Sequence, residues 1–125
     1  MTSLHHVQLA MPAGGEDRAR AFYLGLLGIP EQPKPAHLVA RGGCWFEDGP
    51  LRVHLGVDPS FVPATKAHPA LVVDDLDALA ALLNGTGHPV TAGAGIDGYR
   101  QAYVDDPFGN RIELLEALPD SGDDS

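Results

Sequence analysis

The chain has 125 residues, 44% of them hydrophobic, and a formal charge of −9. That length fits one domain with a real core, and the acidic balance excludes nucleic acid, whose phosphates need a surplus of Lys and Arg. No apolar run approaches the roughly 18 residues that cross a bilayer, and MTSLHHVQLAMP has no basic region ahead of an apolar stretch, so no membrane or secretory role is expected. A lone Cys44 excludes an internal disulfide and fits a cytoplasmic location. The acidity itself reads as a solubilising surface or as a field that draws cationic ligands.

Leu4–Met11 alternates in the manner of a strand. Glu16 and Asp17 then open a helix at its positive end, and Ala19, Phe22, Tyr23, Leu26 and Leu27 give it an apolar stripe. Gly28 is the expected stop, with Pro30 behind it. After the Pro-rich crossing EQPKP, three short strands are expected at His37–Arg41, Cys44–Glu47 and Leu51–Val57, turning at Gly42-Gly43 and Asp48-Gly49-Pro50. The stretch 59–66 is the linker.

The order then repeats. His68–Val73 is a strand, Asp74 caps a helix with Asp77 three residues on, and Gly85 or Gly87 ends that helix. Pro89–Thr91, Arg100–Asp105 and Arg111–Glu116 are the remaining strands, and Asp106-Pro107-Phe108-Gly109 carries the residues of a type I turn. Residues 119–125 read as a disordered acidic tail. The expected organisation is therefore one domain over 1–118, with module one at 3–58 and module two at 67–117.

Laying one half on the other pairs His6 with His68 and Arg52-Val53-His54-Leu55 with Arg111-Ile112-Glu113-Leu114. A repeat of this kind means duplicated units that bury their faces jointly. Strand alternation sets His6 with Gln8, His54 with Arg52, and Glu113 with Arg111. If the halves curve round one cleft, three imidazoles and a carboxylate meet there, a set that suits a divalent ion able to polarise a substrate oxygen. Taken singly, each His reads equally as a hydrogen-bonded, half-buried strand residue. His5 is expected on the face opposite His6, His37 and His88 on the surface, and Cys44 as an inert core residue.

The segments HVQLAM from His6 with AFYLGLLG after it, HPALVVDDLDAL from His68, and DDPFGNRIEL through Glu113 resemble the vicinal oxygen chelate superfamily. That group includes glyoxalase I, fosfomycin-resistance enzymes, extradiol dioxygenases and bleomycin-binding proteins. The resemblance runs from Leu4 to Glu116 and implies an α+β fold of two tandem βαβββ modules forming a cupped mixed sheet. It implies a divalent metal ion (Ni, Zn, Mn, Co or Fe) on His6, His68 and Glu113, with His54 where relatives commonly carry Glu or Gln. By analogy Glu113 would also move a proton. From their own strand positions Gln8, Trp45, Arg52, Tyr103 and Arg111 read as substrate contacts, with core packing the other reading for Tyr103 and an outward, solvated position the other reading for both arginines. The activity implied is a glyoxalase-like lyase or isomerase acting on a small molecule that chelates through vicinal oxygens. The alternatives are a drug- or metabolite-sequestering protein and an Fe(II) extradiol-type dioxygenase. A homodimer is implied, in which modules of different chains share a cleft.

Overall fold

The computed structural model describes residues 1–119. The expected tail, from residue 120 on, lies outside them. Module one begins with β1 (Val7–Met11), which runs parallel to β4 (Leu51–Val57); β4 pairs antiparallel with β3 (Cys44–Asp48), and β3 with the two-residue β2 (Glu31–Gln32). The sheet order is β1-β4-β3-β2. Module two repeats it as β5-β8-β7-β6, from β5 (Ala70–Val72), β6 (Thr91–Ala92), β7 (Tyr99–Asp105) and β8 (Arg111–Ala117). The same order in both halves gives the α+β architecture of two modules. Among the described residues no helix is long and apolar enough to cross a membrane.

Helix α1 runs over Glu16–Ala19 and continues as a π-helical winding over Arg20–Leu26. The wide turn is visible in Leu27 N–H, which donates to Phe22 O at 2.9 Å. Gly28 stops the helix with φ +74°, a left-handed conformation that costs glycine nothing. Helix α2 spans Leu76–Gly85, and its cap is Asp75 rather than Asp74: the Asp75 carboxylate accepts from Ala78 N–H at 3.0 Å. Two adjacent aspartates offer the same chemistry, and the register of Leu76 and Leu83 against the core selects the second.

Three further expectations are corrected. His37–Arg41 is not a strand but part of a 3-10 turn, Ala36–Arg41, because the edge of β3 is already taken by Glu31–Gln32. β1 starts at Val7, so His5 and His6 precede the pleat and alternation does not separate them. Their Nδ1 atoms lie 3.0 Å apart. β5 starts at Ala70, since Pro69 has no N–H to give the ladder, although its carbonyl still accepts from Glu113 N–H at 3.0 Å.

One core joins the modules. Cys44, Phe46, Val53 and Leu55 from the first sheet meet Ala102, Val104, Ile112 and Leu114 from the second, with Phe22, Tyr23 and Leu83 from the helices. These strand residues alternate with the residues of interest, so each sheet has one face in the core and a second face turned away from it. Gly43 marks the tightest backbone approach: its φ is +86°, and a Cβ there would overlap the Leu55 carbonyl. Only glycine lets the chain enter β3 beside β4.

A tie of polar groups also crosses between modules. Asp106, at the start of the turn between β7 and β8, accepts from Tyr23 Oη at 2.7 Å and from Asn110 Nδ2 at 3.0 Å. Asn110 Nδ2 in turn donates to Ala10 O at 2.8 Å. The turn that leads into β8, the strand of Glu113, is thereby pinned to β1.

Candidate functional site

The second faces of the two sheets carry matching tiers. In module one the register places Gln8, His54 and Trp45 side by side across β1, β4 and β3. In module two it places Ala70, Glu113 and Tyr103 side by side across β5, β8 and β7. The four candidate ligands fall into two pairs, one on each tier. Among the described residues no group of three or more His, Cys, Asp or Glu side chains converges within one chain on a position that could hold an ion.

The first pair is an aromatic stack. His54 lies flat between Trp45, with centroids 4.2 Å apart and planes at 7°, and His6, at 4.3 Å and 16°. His54 is therefore buried although it does not face the core. Its Nε2 meets Glu47 Oε2 at 2.6 Å. Burial holds the imidazole below its ordinary range, and the Glu47 contact offsets that only in part. A ring kept neutral this way donates Nε2–H to the carboxylate. Arg52 Nη1 donates to His5 O at 3.2 Å, tying the segment before β1 to β4.

The second pair is held by polar groups. His68 Nδ1 lies 2.8 Å from Lys66 O, and a carbonyl only accepts, so Nδ1 is the donor. His68 Nε2 faces Glu113 Oε1 at 2.9 Å, while Gln101 Nε2 donates to Glu113 Oε2 at 2.8 Å. The Gln101 amide first, and His68 when its Nε2 also carries a proton, hold the Glu113 carboxyl below the usual carboxylate range. With Nδ1 protonated, a neutral His68 points a lone pair at a carboxylate. The gap between the two atoms takes a proton or a cation. A histidine whose far nitrogen is spent on a backbone carbonyl is the usual arrangement for a metal ligand, so this donor set fits a divalent ion.

Around the second pair, the Arg111 guanidinium lies 4.0 Å from the Tyr103 ring centroid, and His68 meets that ring edge-on at 6.0 Å. Tyr103 and Arg111 also line a cavity of about 750 Å³ between α1 and β7, together with Arg18, Phe22, His88 and Thr91. None of the four candidate ligands, His6, His54, His68 and Glu113, lines it. His88 is thus not a plain surface residue: its ring packs against Phe22 at 5.1 Å. His37 is exposed, and Cys44 is fully buried, with burial pushing its thiol up to about 11.

Glu47 and Gln101 were missed in the sequence. Both were within reach, because counting back from the Asp48-Gly49-Pro50 turn sets Glu47 on the His54 face, and counting from Asp106-Pro107 sets Gln101 on the Glu113 face.

Residues 3–114 match the family model of the Glyoxalase/Bleomycin resistance protein/Dioxygenase superfamily. The chain belongs to that superfamily. A protein of Bacillus anthracis assigned to the glyoxalase family is 43% identical, with 94% of this chain and 97% of that one covered at a TM-score of 0.89. Two more distant structures share the superfamily fold. TnmS3, an antibiotic binding protein from Streptomyces sp. CB03234, is 24% identical over 94% of this chain and 99% of its own, with a TM-score of 0.70. The fosfomycin resistance protein FosX from Listeria monocytogenes is 16% identical over 95% and 96%, with a TM-score of 0.74. No curated protein matches the chain. Superfamily membership thus covers both enzymes and binders of small molecules.

Proposed function

We propose that this superfamily member is a glyoxalase-like, metal-dependent lyase or isomerase whose ion is held by two chains of a homodimer. The observation that carries the reading is the pair His68 Nε2 and Glu113 Oε1, two acceptors facing each other at 2.9 Å with their outer nitrogen and oxygen already engaged. Such a pair is two thirds of a facial set of two histidines and a carboxylate. The third donor would be His6, which stands on the other tier; a second chain could bring its tier against this one. A divalent ion there would polarise a substrate oxygen. Glu113 would hold and move the proton. Tyr103 and Arg111 would bind the substrate beside one tier, and Gln8, Trp45 and Arg52 beside the other. The lone buried Cys44 suits a reducing cytoplasm.

A second reading has its own support. Each candidate donor already faces a partner, His6 against His5, His54 against Glu47 and His68 against Glu113, and one proton in the last gap closes both tiers without an ion, which suits a sequestering protein. Titration of metal-free protein with Ni(II), Co(II), Mn(II) and Zn(II), followed by turnover of hemithioacetals with and without chelator, separates the two. The enzyme reading expects a dimer in sedimentation, about one ion per chain, and turnover that chelator removes and metal restores. Tight binding of a cationic glycopeptide drug that survives chelation, with no turnover under any metal, would sink it.

A further inference from the structure

We infer that His54 positions His6 by stacking rather than sharing a metal ion with it, and that Glu47 and Trp45 hold His54 for that task. The inference rests on His6 being a donor to the ion proposed above. An ion bound to an imidazole lies close to the ring plane, about 2.0–2.1 Å from the nitrogen. The planes of His54 and His6 are within 16° of parallel, and their centroids are 4.3 Å apart. Near-parallel planes with that separation share no point close to both rings. An ion between them would stand far out of each plane, away from both lone pairs.

The surroundings of His54 say what it does instead. Its edge is anchored by Glu47 at 2.6 Å, and its other face is backed by Trp45 at 7°. Both partners come from β3, the strand antiparallel to β4, so the ring is fixed in rotation and in tilt by the sheet itself. His6 has no such frame. It precedes β1 and is exposed, and the flat face of His54 is the rigid surface against which its ring is set. His5 occupies Nδ1 of His6, which leaves Nε2 as the nitrogen for an ion. Stacking of aromatic rings is worth little in free energy, but it fixes direction, and a ligand misplaced by a fraction of an ångström loses affinity.

The test compares two replacements of His54 in the full-length protein. His54→Phe keeps a flat ring and discards both nitrogens; it is made together with Glu47→Gln so that no carboxylate is left unpaired. His54→Leu, with the same Glu47→Gln, discards the ring. Cobalt(II) is titrated into each, and the paramagnetically shifted imidazole signals of the wild-type complex are counted by NMR. The upfield shift of the His6 ring protons is followed in metal-free protein. Two coordinated histidines are expected in the wild type, with affinity within about threefold in the Phe variant and 10–100-fold weaker in the Leu variant. The His6 upfield shift should persist with Phe and vanish with Leu. Three coordinated histidines, or a Phe variant as weak as the Leu variant, would overturn the positioning role and leave the metal reading standing. A wild type that binds no cobalt would overturn both, whatever the His6 shift shows.

Discussion

Replacing Asp106 by Ala is expected to remove about 3–5 kcal/mol of folding free energy, a large share of what a domain this size possesses. Asp106 is only 4% exposed. One carboxylate oxygen accepts from Phe108 N–H at 2.9 Å and Asn110 N–H at 2.8 Å, and the other accepts from Tyr23 Oη and Asn110 Nδ2. Truncation strands Tyr23 Oη and the Phe108 and Asn110 N–H groups at once and leaves Asn110 Nδ2 with Ala10 O alone, and Tyr23 is fully buried, so water cannot replace the lost partner. Asp106→Asn keeps the shape and one accepting oxygen but sets an amide N–H₂ against the Asn110 amide, for about 1–2 kcal/mol. Tyr23→Phe removes a single bond and leaves the carboxylate bonded elsewhere, for about 1 kcal/mol. Urea unfolding of the three variants should give that order at an unchanged slope. An Asp106→Ala protein no less stable than Tyr23→Phe would mean that the turn, not the carboxylate, ties the modules together.

Glu113→Gln is expected to act in opposite directions on two measurements. Ion affinity should fall by at least about 100-fold, because a charged ligand is replaced by a neutral one, and even outer partners of a ligand are worth 10–100-fold. Folding stability of the metal-free protein should hold or rise at pH 8. In the wild type His68 Nδ1–H is given to Lys66 O, so a ring with that single proton sets two acceptors, its Nε2 and Glu113 Oε1, 2.9 Å apart. The glutamine amide supplies the missing N–H to His68 while its oxygen still accepts from Gln101. The wild-type contribution has a definite sign with acid: the Glu113 carboxyl is held below its ordinary range, so its stabilisation is present above about pH 4.5 and is lost as pH falls further. Calorimetric titration and thermal unfolding of one variant check both halves. Loss of stability together with unchanged ion affinity would place Glu113 in the fold and not in the site.

Much of this was legible in the residues. Two tandem modules followed from the pairing of His6 with His68 and of the strand through His54 with the strand through Glu113, and both sheets carry the same strand order. Alternation set His54 with Arg52 and Glu113 with Arg111, and in the structure the residues between them, Val53 and Ile112, belong to the shared core, because β4 and β8 are long enough for period two to show. It failed where strands are two or three residues long. Glu31–Gln32 has no pattern to read, and its side chains are held by Arg20 Nε at 2.8 Å and Glu47 O at 3.4 Å, contacts that no period shows. His37–Arg41 had a strand-like composition and no free edge to join. The stack of Trp45, His54 and His6 was not legible either, since it depends on His6 lying before the pleat begins. That the ligand candidates would divide into two pairs was beyond the sequence as well, because duplication states which positions correspond and is silent on which faces meet.

The claim that the site is shared between chains is tested most directly by mixing two damaged proteins. His6→Ala retains the His68–Glu113 pair, and Glu113→Ala retains His6. Each alone should bind no cobalt at concentrations that saturate the wild type. After subunit exchange at equal amounts, half of the dimers are mixed, and each mixed dimer contains one site in which the partner subunit's His6 meets an intact His68–Glu113 pair. Recovery of about one quarter of the wild-type ion content is the expected result. No recovery, from a mixture shown by mass spectrometry to contain the mixed dimer, would contradict a shared site.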